Sequence, residues 1–398
     1  MIATRESSSA AAQPAEPQLR RGREPQRFQW FAPVPRGLEP VLTAELEALD
    51  FDAVRPSDGG AAFRGTLEDG YRANLWLRTA ARVLRQIAEF PCHSEKDLYR
   101  EARAVDWFAV FDPAQTFTVR VQTGETQFRN AAYLGLLIKD AIVDRFRDAF
   151  GKRPSVSKAA PQILIQGWVH QGRATLSLDS SGEALFKRGY RRETGEAPLR
   201  ENLAAGLLGL ANWRGERPLW DPFCGSGTIA IEASLMAANR APGLQRERFA
   251  FQQWPDYQAG AWNRLRAEAQ RAVKPCGVAI RASDRSAEAV RLARANAERA
   301  GVAECIEFGV VDSRDTTGGH VPGLIVTNPP YGERIGGADL PALYRALGDT
   351  LKQRYKGWQA FLFTQQGELA KSVGLRPSGR TILYNGALEC RLLKFELY

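Results

Sequence analysis

The sequence predicts an α/β protein in which a domain with a mainly parallel sheet follows two smaller α+β units. From about residue 198 onward, short apolar runs alternate with helical segments, which is typical of a parallel sheet with helices on both faces. Before that point, strand-like runs and helices follow each other without this regular alternation. Two strand-like runs near the end, 381–385 and 390–398, are separated by a short turn, which predicts an antiparallel hairpin at one edge of the sheet.

Length and composition indicate several folded domains and one broad class of partner. The chain has 398 residues, of which 44% are hydrophobic and 10% are aromatic. Domains of about 100–200 residues would make two or three units, and this apolar content argues against global disorder. The formal net charge of +9 favours a polyanionic partner such as nucleic acid. A basic protein without such a partner would have the same charge, so the charge alone leaves both interpretations open.

Cysteine and histidine usage argues against a disulfide framework and against a metal site. The five cysteines and three histidines are scattered along the chain, and no two cysteines form a CxxC pair. No apolar run approaches the roughly 18–20 residues of a membrane span, and the first residues lack the apolar core of a signal peptide. The sequence therefore predicts a cytoplasmic protein with no metal and no membrane partner.

The N-terminal part predicts a tail and a first α+β unit. Residues 1–27 are rich in Ser, Ala, Pro and Gln and predict a disordered tail. In the unit 28–82 that follows, apolar spacing predicts a helix over 38–49, and glycines bound a short strand over 59–65. A second helix is predicted over 75–84, where the apolar residues recur at helical spacing.

A second α+β unit is predicted over 83–181. Alternating apolar and polar residues predict a strand over 116–122 and two further strands, 162–170 and 174–178, joined by a turn. Between the first two strands lies a helical pattern over 130–150, which a glycine then ends.

The domain with the parallel sheet is predicted over 182–398. Five short apolar runs predict its parallel strands, and they lie at 218–221, 277–282, 306–311, 323–326 and 360–364.

The strongest local motif is a glycine turn between a strand and a helix. An apolar strand ends at Asp221, and a Gly-Ser-Gly turn then opens a helix. Gly225 and Gly227 permit positive φ and a close ligand approach, and the helix N-terminus presents free N–H groups to an anion. A dinucleotide site would have a third glycine where this chain has Ala230, so the anion could instead be the carboxylate of an amino-acid-like ligand. The candidate cofactor-binding residues of this loop are Asp221, Phe223, Gly225, Ser226, Gly227 and Thr228.

A second motif, Asn-Pro-Pro-Tyr at 328–331, follows a later strand of the same sheet. The exocyclic amine of a base is a poor nucleophile because its lone pair is delocalised into the ring. The Asn328 side-chain oxygen and the Pro329 carbonyl can each accept one amino hydrogen, which orients the lone pair and stabilises charge developing on nitrogen. Tyr331 offers a ring face for stacking. Asn328, Pro329 and Tyr331 are therefore the candidate catalytic residues, although a Pro-Pro turn alone would also be ordinary.

Two acids follow the intervening strands. Asp284 can bind both hydroxyls of a ribose, and Asp312 can accept a hydrogen bond from an adenine amine. Either acid could instead cap the next helix. The spacing from Asp221 to Asp284 far exceeds the roughly 20 residues of a dinucleotide fold, so an inserted segment is predicted over about 236–275. Cys224, inside the glycine loop, is interpreted as a packing residue.

Together with the runs Ala-Leu-Phe-Lys-Arg-Gly-Tyr-Arg at 184–191 and Ala-Pro-Leu-Arg-Glu-Asn-Leu-Ala-Ala at 197–205, these motifs resemble one family from about residue 28 to the end. It comprises class I RNA methyltransferases with an N-terminal THUMP domain, and the similarity is greatest to the bacterial group that contains the N-terminal half of the large-subunit rRNA guanine-N2 methyltransferase. The resemblance implies a ferredoxin-like domain over 28–82, an RNA-binding THUMP domain over 83–181 and a Rossmann-like methyltransferase domain that ends in an antiparallel hairpin.

The resemblance also implies a function and its residues. The cofactor would be S-adenosyl-L-methionine, and the product would be N2-methylguanosine in 23S rRNA. In the glycine loop, the resemblance assigns cofactor contacts to Asp221, Phe223, Gly225 and Gly227. Asp284 would bind the ribose and Asp312 the adenine. Asn328 would both contact the cofactor and accept a hydrogen bond from the base.

Three other functions stay open at this point. Methylation of a tRNA guanine would use the same chemistry, and Asn-Pro-Pro-Tyr also serves adenine-N6 methylation of DNA. A non-catalytic RNA-binding assembly factor could keep the pocket.

A basic cluster lies near the junction of the second and third domains. Lys187, Arg188, Arg191 and Arg192 are candidate RNA-binding residues, because clustered cations can bind phosphate. The alternative interpretation is a solvated basic linker.

Overall fold

The computed structural model describes residues 25–191, 199–319, 321–331, 340–365 and 367–398. Most of the predicted tail, 1–27, lies outside these ranges. No helix in the described ranges is long and apolar enough to cross a membrane.

The described residues of the first half of the chain form seven strands and four α-helices. In chain order they are β1 (Phe28–Pro33), α1 (Glu39–Ala48), β2 (Asp52–Ser57), β3 (Gly60–Gly65), α2 (Leu67–Trp76), β4 (Leu84–Pro91), α3 (Glu95–Ala104), β5 (Phe117–Thr123), α4 (Ala131–Phe150), β6 (Ile163–His170) and β7 (Arg173–Asp179).

These seven strands form one continuous sheet in the order β2-β3-β1-β4-β7-β6-β5. The strand β4 pairs with β1 on one side and with β7 on the other, so both predicted α+β units share a single sheet. Only β5 and β6 are parallel within it. The strands predicted over 116–122, 162–170 and 174–178 are confirmed as β5, β6 and β7.

The helix predicted over 75–84 is wrong beyond Trp76. The chain leaves the helix at Leu77, whose backbone is extended. The next two N–H groups, of Arg78 and Thr79, donate to the half-buried Glu45 carboxylate at 3.1 and 3.2 Å instead of continuing the helix. Leu84 then begins β4. A side chain from α1 therefore overrides the local apolar spacing.

The long helix α4 follows its sequence pattern closely. Asn130 caps its N-terminus by accepting from the Tyr133 N–H, and Gly151 ends it at a φ of +63°. One face, including Leu134, Ile138 and Ile142, is buried, as the spacing predicts.

The second half forms an α/β domain. Its elements are α5 (Glu201–Leu210), β8 (Leu219–Asp221), α6 (Thr228–Ala237), α7 (Ala259–Arg271), β9 (Ile280–Asp284), α8 (Ala287–Ala300), β10 (Ile306–Val310), β11 (Leu324–Thr327), α9 (Leu340–Arg354), β12 (Gln359–Gln365), α10 (Glu368–Ser372), β13 (Gly379–Asn385) and β14 (Leu388–Glu396).

The sheet of this domain has the strand order β10-β9-β8-β11-β12-β14-β13. The strands β8 to β12 are parallel, and the hairpin β13–β14 adds to β12 in antiparallel fashion. The α/β class, the five parallel strands and the terminal hairpin are confirmed.

The segment between α6 and β9 joins the two halves of the chain. Its Phe251 ring stacks on Tyr71 of α2 at a centroid distance of 4.2 Å, and Trp262 of α7 contacts the same tyrosine edge-on. Arg78, after α2, donates to the Arg240 carbonyl at 2.9 Å. The inserted segment thus packs the α/β domain against the N-terminal sheet through a buried apolar contact.

Candidate active site

Four of the parallel strands deliver polar residues to one edge of the sheet. The neighbours β10, β9, β8 and β11 run in the same direction, so the loops after them meet at their carboxyl ends. Asp221 and Asp284 are the last residues of β8 and β9, and Asp312 and Asn328 follow β10 and β11 closely. The structure therefore places these four predicted residues at one edge.

The two glycines of the first loop differ in their surroundings. Gly227 has a φ of +84°, and a Cβ there would lie 2.9 Å from the Cβ of Ala293 on α8. Gly225 has a φ of +50°, and a Cβ there would meet no atom within 4 Å. Gly227 is thus required by helix packing, whereas Gly225 borders open space at the sheet edge.

The helix α6 begins at this loop, and no side chain caps its N-terminus. Free N–H groups at a helix start attract anions such as a carboxylate. Thr228 is buried, and its hydroxyl accepts a 2.6 Å hydrogen bond from Arg191. The Ser226 carbonyl accepts from Asn296 of α8 at 3.0 Å, which fixes the turn.

Asp221 is a buried carboxyl group at this end of the sheet. Its Oδ1 accepts from the Thr327 hydroxyl at 2.6 Å and from the Phe223 N–H at 3.3 Å. Burial, and to a smaller extent the nearby Asp284 charge, raise the pKa of Asp221 to about 7. A carboxyl group in this state becomes charged readily when a cation binds beside it. Phe223 itself packs against the core between the sheet and α9.

Asp284 connects the loops after β8 and β9. One of its oxygens accepts from the Gly225 N–H at 3.2 Å, and the other accepts from the Ser286 N–H at 2.9 Å. Ser286, not Asp284, caps α8.

Asp312 holds an arginine in this structure. Arg314 donates to both of its oxygens at 2.9 Å, and these hydrogen bonds lower the pKa of Asp312. The acid also caps the short turn that follows it. A ligand amine at Asp312 would therefore share this carboxylate with Arg314.

Asn328 has an unused acceptor. Its Oδ1 atom is buried, and no donor in the described part of the chain reaches it. An unpaired buried acceptor costs about 1–3 kcal/mol, so such atoms mark places where a ligand supplies the missing donor. Pro329, which follows, is buried and fixes the direction of the loop.

Tyr331 is held by the terminal hairpin. Its hydroxyl accepts from the Asn385 side chain at 3.1 Å and lies 3.9 Å from the Cys390 sulfur. The ring contacts Phe363 edge-on, and burial raises the pKa of Tyr331. The sequence predicted the hairpin but not its contact with Tyr331, because no local pattern links positions more than fifty residues apart.

The predicted RNA-binding role of Arg188 is wrong. Its side chain is 2% exposed, and it forms a buried ion pair with Glu232 at 3.4 Å. It also donates to the carbonyls of Leu185 and Arg78. A guanidinium enclosed in this way joins the domains and cannot contact a phosphate.

The other two described residues of that cluster are also paired with acids. The Arg191 side chain is 10% exposed and pairs with Glu201 at 3.6 Å, so the same correction applies to it. Lys187 is exposed but pairs with Glu183 at 3.0 Å. Arg192 lies outside the described residues.

Two further features concern reactive side chains. Cys224 is buried, and burial raises the pKa of its thiol, which supports packing and not nucleophilic chemistry. Within the described ranges, no group of three or more His, Cys, Asp or Glu side chains could hold a metal ion.

A parallel sheet with an antiparallel terminal hairpin, a glycine loop after its first strand and an Asn-Pro-Pro-Tyr loop together define a class I methyltransferase. The chain matches the family described as RMKL-like, methyltransferase domain, over residues 188–394. It also matches the RlmL ferredoxin-like domain over 29–84 and the THUMP domain over 92–179. The chain belongs to the RMKL-like methyltransferases, a family that uses S-adenosylmethionine, and the predicted family is confirmed.

Similar proteins cover most of the chain. A ribosomal RNA large subunit methyltransferase K/L of Psychromonas ingrahamii is 41% identical over 93% of this chain and 50% of its own length. The chain thus spans about half the length of the curated K/L relatives it matches. A putative RNA methyltransferase of Synechocystis is 40% identical over 93% of this chain and 97% of its own length.

A solved structure has the same fold. It is that of a putative methyltransferase complexed with SAH, and it is 30% identical with a TM-score of 0.85. The similarity covers 94% of this chain and 98% of the other.

Proposed function

We propose that this protein transfers the methyl group of S-adenosylmethionine to the exocyclic N2 amine of a guanine in 23S rRNA. The observation that carries the proposal is the buried, unpaired Oδ1 of Asn328 at the edge where the glycine loop and the acids meet. An amine donor is the partner that this acceptor lacks. The names of the relatives support an RNA substrate.

The residues at the edge fit the cofactor. The uncapped start of α6 and the open space beside Gly225 suit the carboxylate end of an amino-acid-like ligand. Asp221 would complement its positive charge, and Asp284 and Asp312 would accept from ribose hydroxyls and the adenine amine. When bound, the cofactor supplies a methyl group activated by a positively charged sulfur.

The contribution of the protein to the reaction is alignment and charge stabilisation. Asn328 Oδ1 and the Pro329 carbonyl would each accept one hydrogen of the amine, so the nitrogen lone pair points away from both. The same dipoles stabilise the positive charge that develops on the nitrogen as the new bond forms. Consecutive prolines keep the acceptors in place before the substrate arrives. The extra proton on the product nitrogen then leaves to solvent.

The RNA class of the substrate is supported by the N-terminal half. The THUMP match favours RNA over duplex DNA, and the net charge of +9 suits a polyanion of either kind. A guanine of tRNA remains the second candidate substrate, because it presents the same amine. We also infer a cytoplasmic location, where such RNA is found.

Nucleoside mass spectrometry tests the proposal. Total RNA from cells with and without the gene would be separated into large rRNA, small rRNA and tRNA, and N2-methylguanosine would be quantified in each. Loss from the large rRNA alone is the expected result, and reintroduction of the wild-type gene should restore it. Loss from tRNA would keep the chemistry but change the substrate. An unchanged level in every fraction would refute the proposed function.

Two variants separate catalysis from cofactor binding. Asn328→Ala should lower turnover by about 10²–10³, as removal of one preorganised contact to developing charge does, and should weaken cofactor binding far less. Asp284→Ala should do the reverse, because it loses the ribose contact. Calorimetric titration with S-adenosylmethionine and single-turnover kinetics give the two quantities. Near-normal turnover of Asn328→Ala would exclude the role given to that residue.

A further inference from the structure

A cationic cavity lies near the carboxyl ends of the parallel strands, on the face of the sheet opposite to Tyr331. It has a volume of about 460 Å³ and is enclosed by the end of β12, by α10 and by the hairpin β13–β14. We propose that this cavity binds backbone phosphate of the RNA strand beside the target nucleotide. The proposal deepens and rests on the proposed function, since it assumes an RNA substrate.

The ionisable side chains among the described residues that line the cavity are all cationic. Its ionisable lining residues are Lys371, Arg376, Arg380 and Arg391, and no acid is among the described residues that line it. Clustered cations repel each other, and an anion bound between them relieves this repulsion. Guanidinium groups bind phosphate oxygens with paired N–H groups, and three of the four cations are arginines.

The arginines have unused donors. Arg376 and Arg380 are exposed, and neither has an ion pair or side-chain hydrogen bond among the described residues. The Arg391 Nε atom is buried without an acceptor, and its nearest carboxylate, Glu389, lies 4.0 Å from another nitrogen of the group. These donors contrast with those of Arg188, which are satisfied inside the protein.

The hairpin register connects the cavity with the catalytic loop. Cys390 lies opposite Gln365 at the end of β12, and its sulfur is 3.9 Å from the Tyr331 hydroxyl. Arg391 is the next residue, and consecutive side chains of a strand point to opposite faces of the sheet. Arg391 therefore lies across the sheet from Tyr331, and a strand passing over this edge would meet both.

The proposed chemistry requires such an anchor. The N2 amine of a guanine must leave any base pair and enter the pocket, which costs a few kcal/mol of unpairing and unstacking. Contacts to flanking phosphates position the backbone and compensate part of this cost without reading the base sequence. A cavity of this size accepts a phosphate group with its adjoining sugar.

The test uses the full-length protein and the double variant Arg376→Ala/Arg380→Ala. A matched control, Arg214→Ala/Lys356→Ala, removes the same charge from exposed residues that precede β8 and β12, at the opposite edge of the sheet. Both variants should unfold like the wild type, because surface substitutions usually change stability by less than about 0.5 kcal/mol.

We expect the cavity variant to raise KM for 23S rRNA about tenfold or more, with kcat and S-adenosylmethionine affinity unchanged. The slope of log K against log salt for RNA binding should become shallower by about 1.4, which is about 0.7 for each lost phosphate contact to a single strand. The control variant should change neither quantity by a comparable amount.

Other results would overturn the inference in distinguishable ways. If wild-type protein methylates RNA but the cavity variant behaves like the control, the cavity proposal fails and the proposed function stands. If the cavity variant instead loses affinity for S-adenosylmethionine, the cavity serves the cofactor and not RNA. Competition by inorganic phosphate without any effect of the variant on RNA binding would assign the cavity to a free anion. If the wild type methylates no RNA, the proposed function itself fails.

Discussion

The two glycines of the loop after β8 should respond differently to the same substitution. In Gly227→Ala, an L-residue at a φ of +84° costs about 1–2 kcal/mol, and forcing its methyl to within 2.9 Å of the Ala293 Cβ costs about 1–3 kcal/mol more. The free energy of unfolding should therefore fall by about 2–5 kcal/mol. In Gly225→Ala only the backbone cost applies, because no atom lies within 4 Å of the new methyl.

Cofactor affinity should fall more in Gly225→Ala than in Gly227→Ala, which is the reverse of the order expected for stability. The methyl of Gly225→Ala would project into the space assigned to S-adenosylmethionine, and about 1–3 kcal/mol of steric cost corresponds to about a 5–150-fold weaker Kd. Urea unfolding of the two variants without cofactor measures stability, and isothermal titration of the folded proteins measures affinity.

Two results would refute this reasoning. An equal loss of stability in both variants would mean that contact with Ala293 does not restrict position 227. An unchanged Kd in Gly225→Ala would mean that the open space beside Gly225 does not receive the cofactor.

Three further predictions concern the charged groups. Arg188→Ala should lower the free energy of unfolding by about 3–5 kcal/mol, because it leaves a buried carboxylate unpaired. Lys187→Ala should change it by less than about 0.5 kcal/mol. Urea unfolding measures both values, and equal losses of stability in the two variants would contradict the prediction. Because the pKa of Asp221 is raised to about 7, the folded protein without cofactor should lose stability as pH rises from about 4 to 7. S-adenosylmethionine should bind more tightly as pH rises through about 7, and its binding should release a proton from Asp221. Calorimetry in buffers of different ionisation enthalpy detects that proton, and Asp221→Asn should abolish it. Arg314→Ala should tighten cofactor binding up to about fivefold if Asp312 accepts from the adenine, since the competing ion pair is worth at most about 1 kcal/mol; weaker binding would argue against that contact.

The position of the candidate active site could be predicted from sequence because each of its parts is local. Asp221 ends a strand, the glycines lie in the short loop between that strand and the next helix, and Asn328 directly follows another strand. The rule that ligands bind at the carboxyl ends of parallel strands then brings them together without further information. The structure adds the order of the strands and the hydrogen bonds between loops.

The roles of the basic residues could not be predicted in the same way. A cluster such as that of Lys187 and Arg188 has the same composition whether it faces solvent or a buried carboxylate. The distinction depends on Glu232, which lies on a helix more than forty residues away in sequence. By contrast, Arg376, Arg380 and Arg391 are dispersed in sequence, and only the hairpin brings them into one cavity.

The shared strand β4 also bears on how the RNA substrate proposed above would meet the protein. Because β4 is hydrogen-bonded to both neighbouring strands and the inserted segment packs on α2 through Tyr71 and Phe251, the described residues tie the N-terminal sheet to the methyltransferase domain through packed contacts. The span between the outer strand β5 and the catalytic edge is thus a constant of the molecule. If the proposed function holds, RNA bound at both places has to present its guanine at that span, and the protein would then select the folded shape of the RNA more than its base sequence.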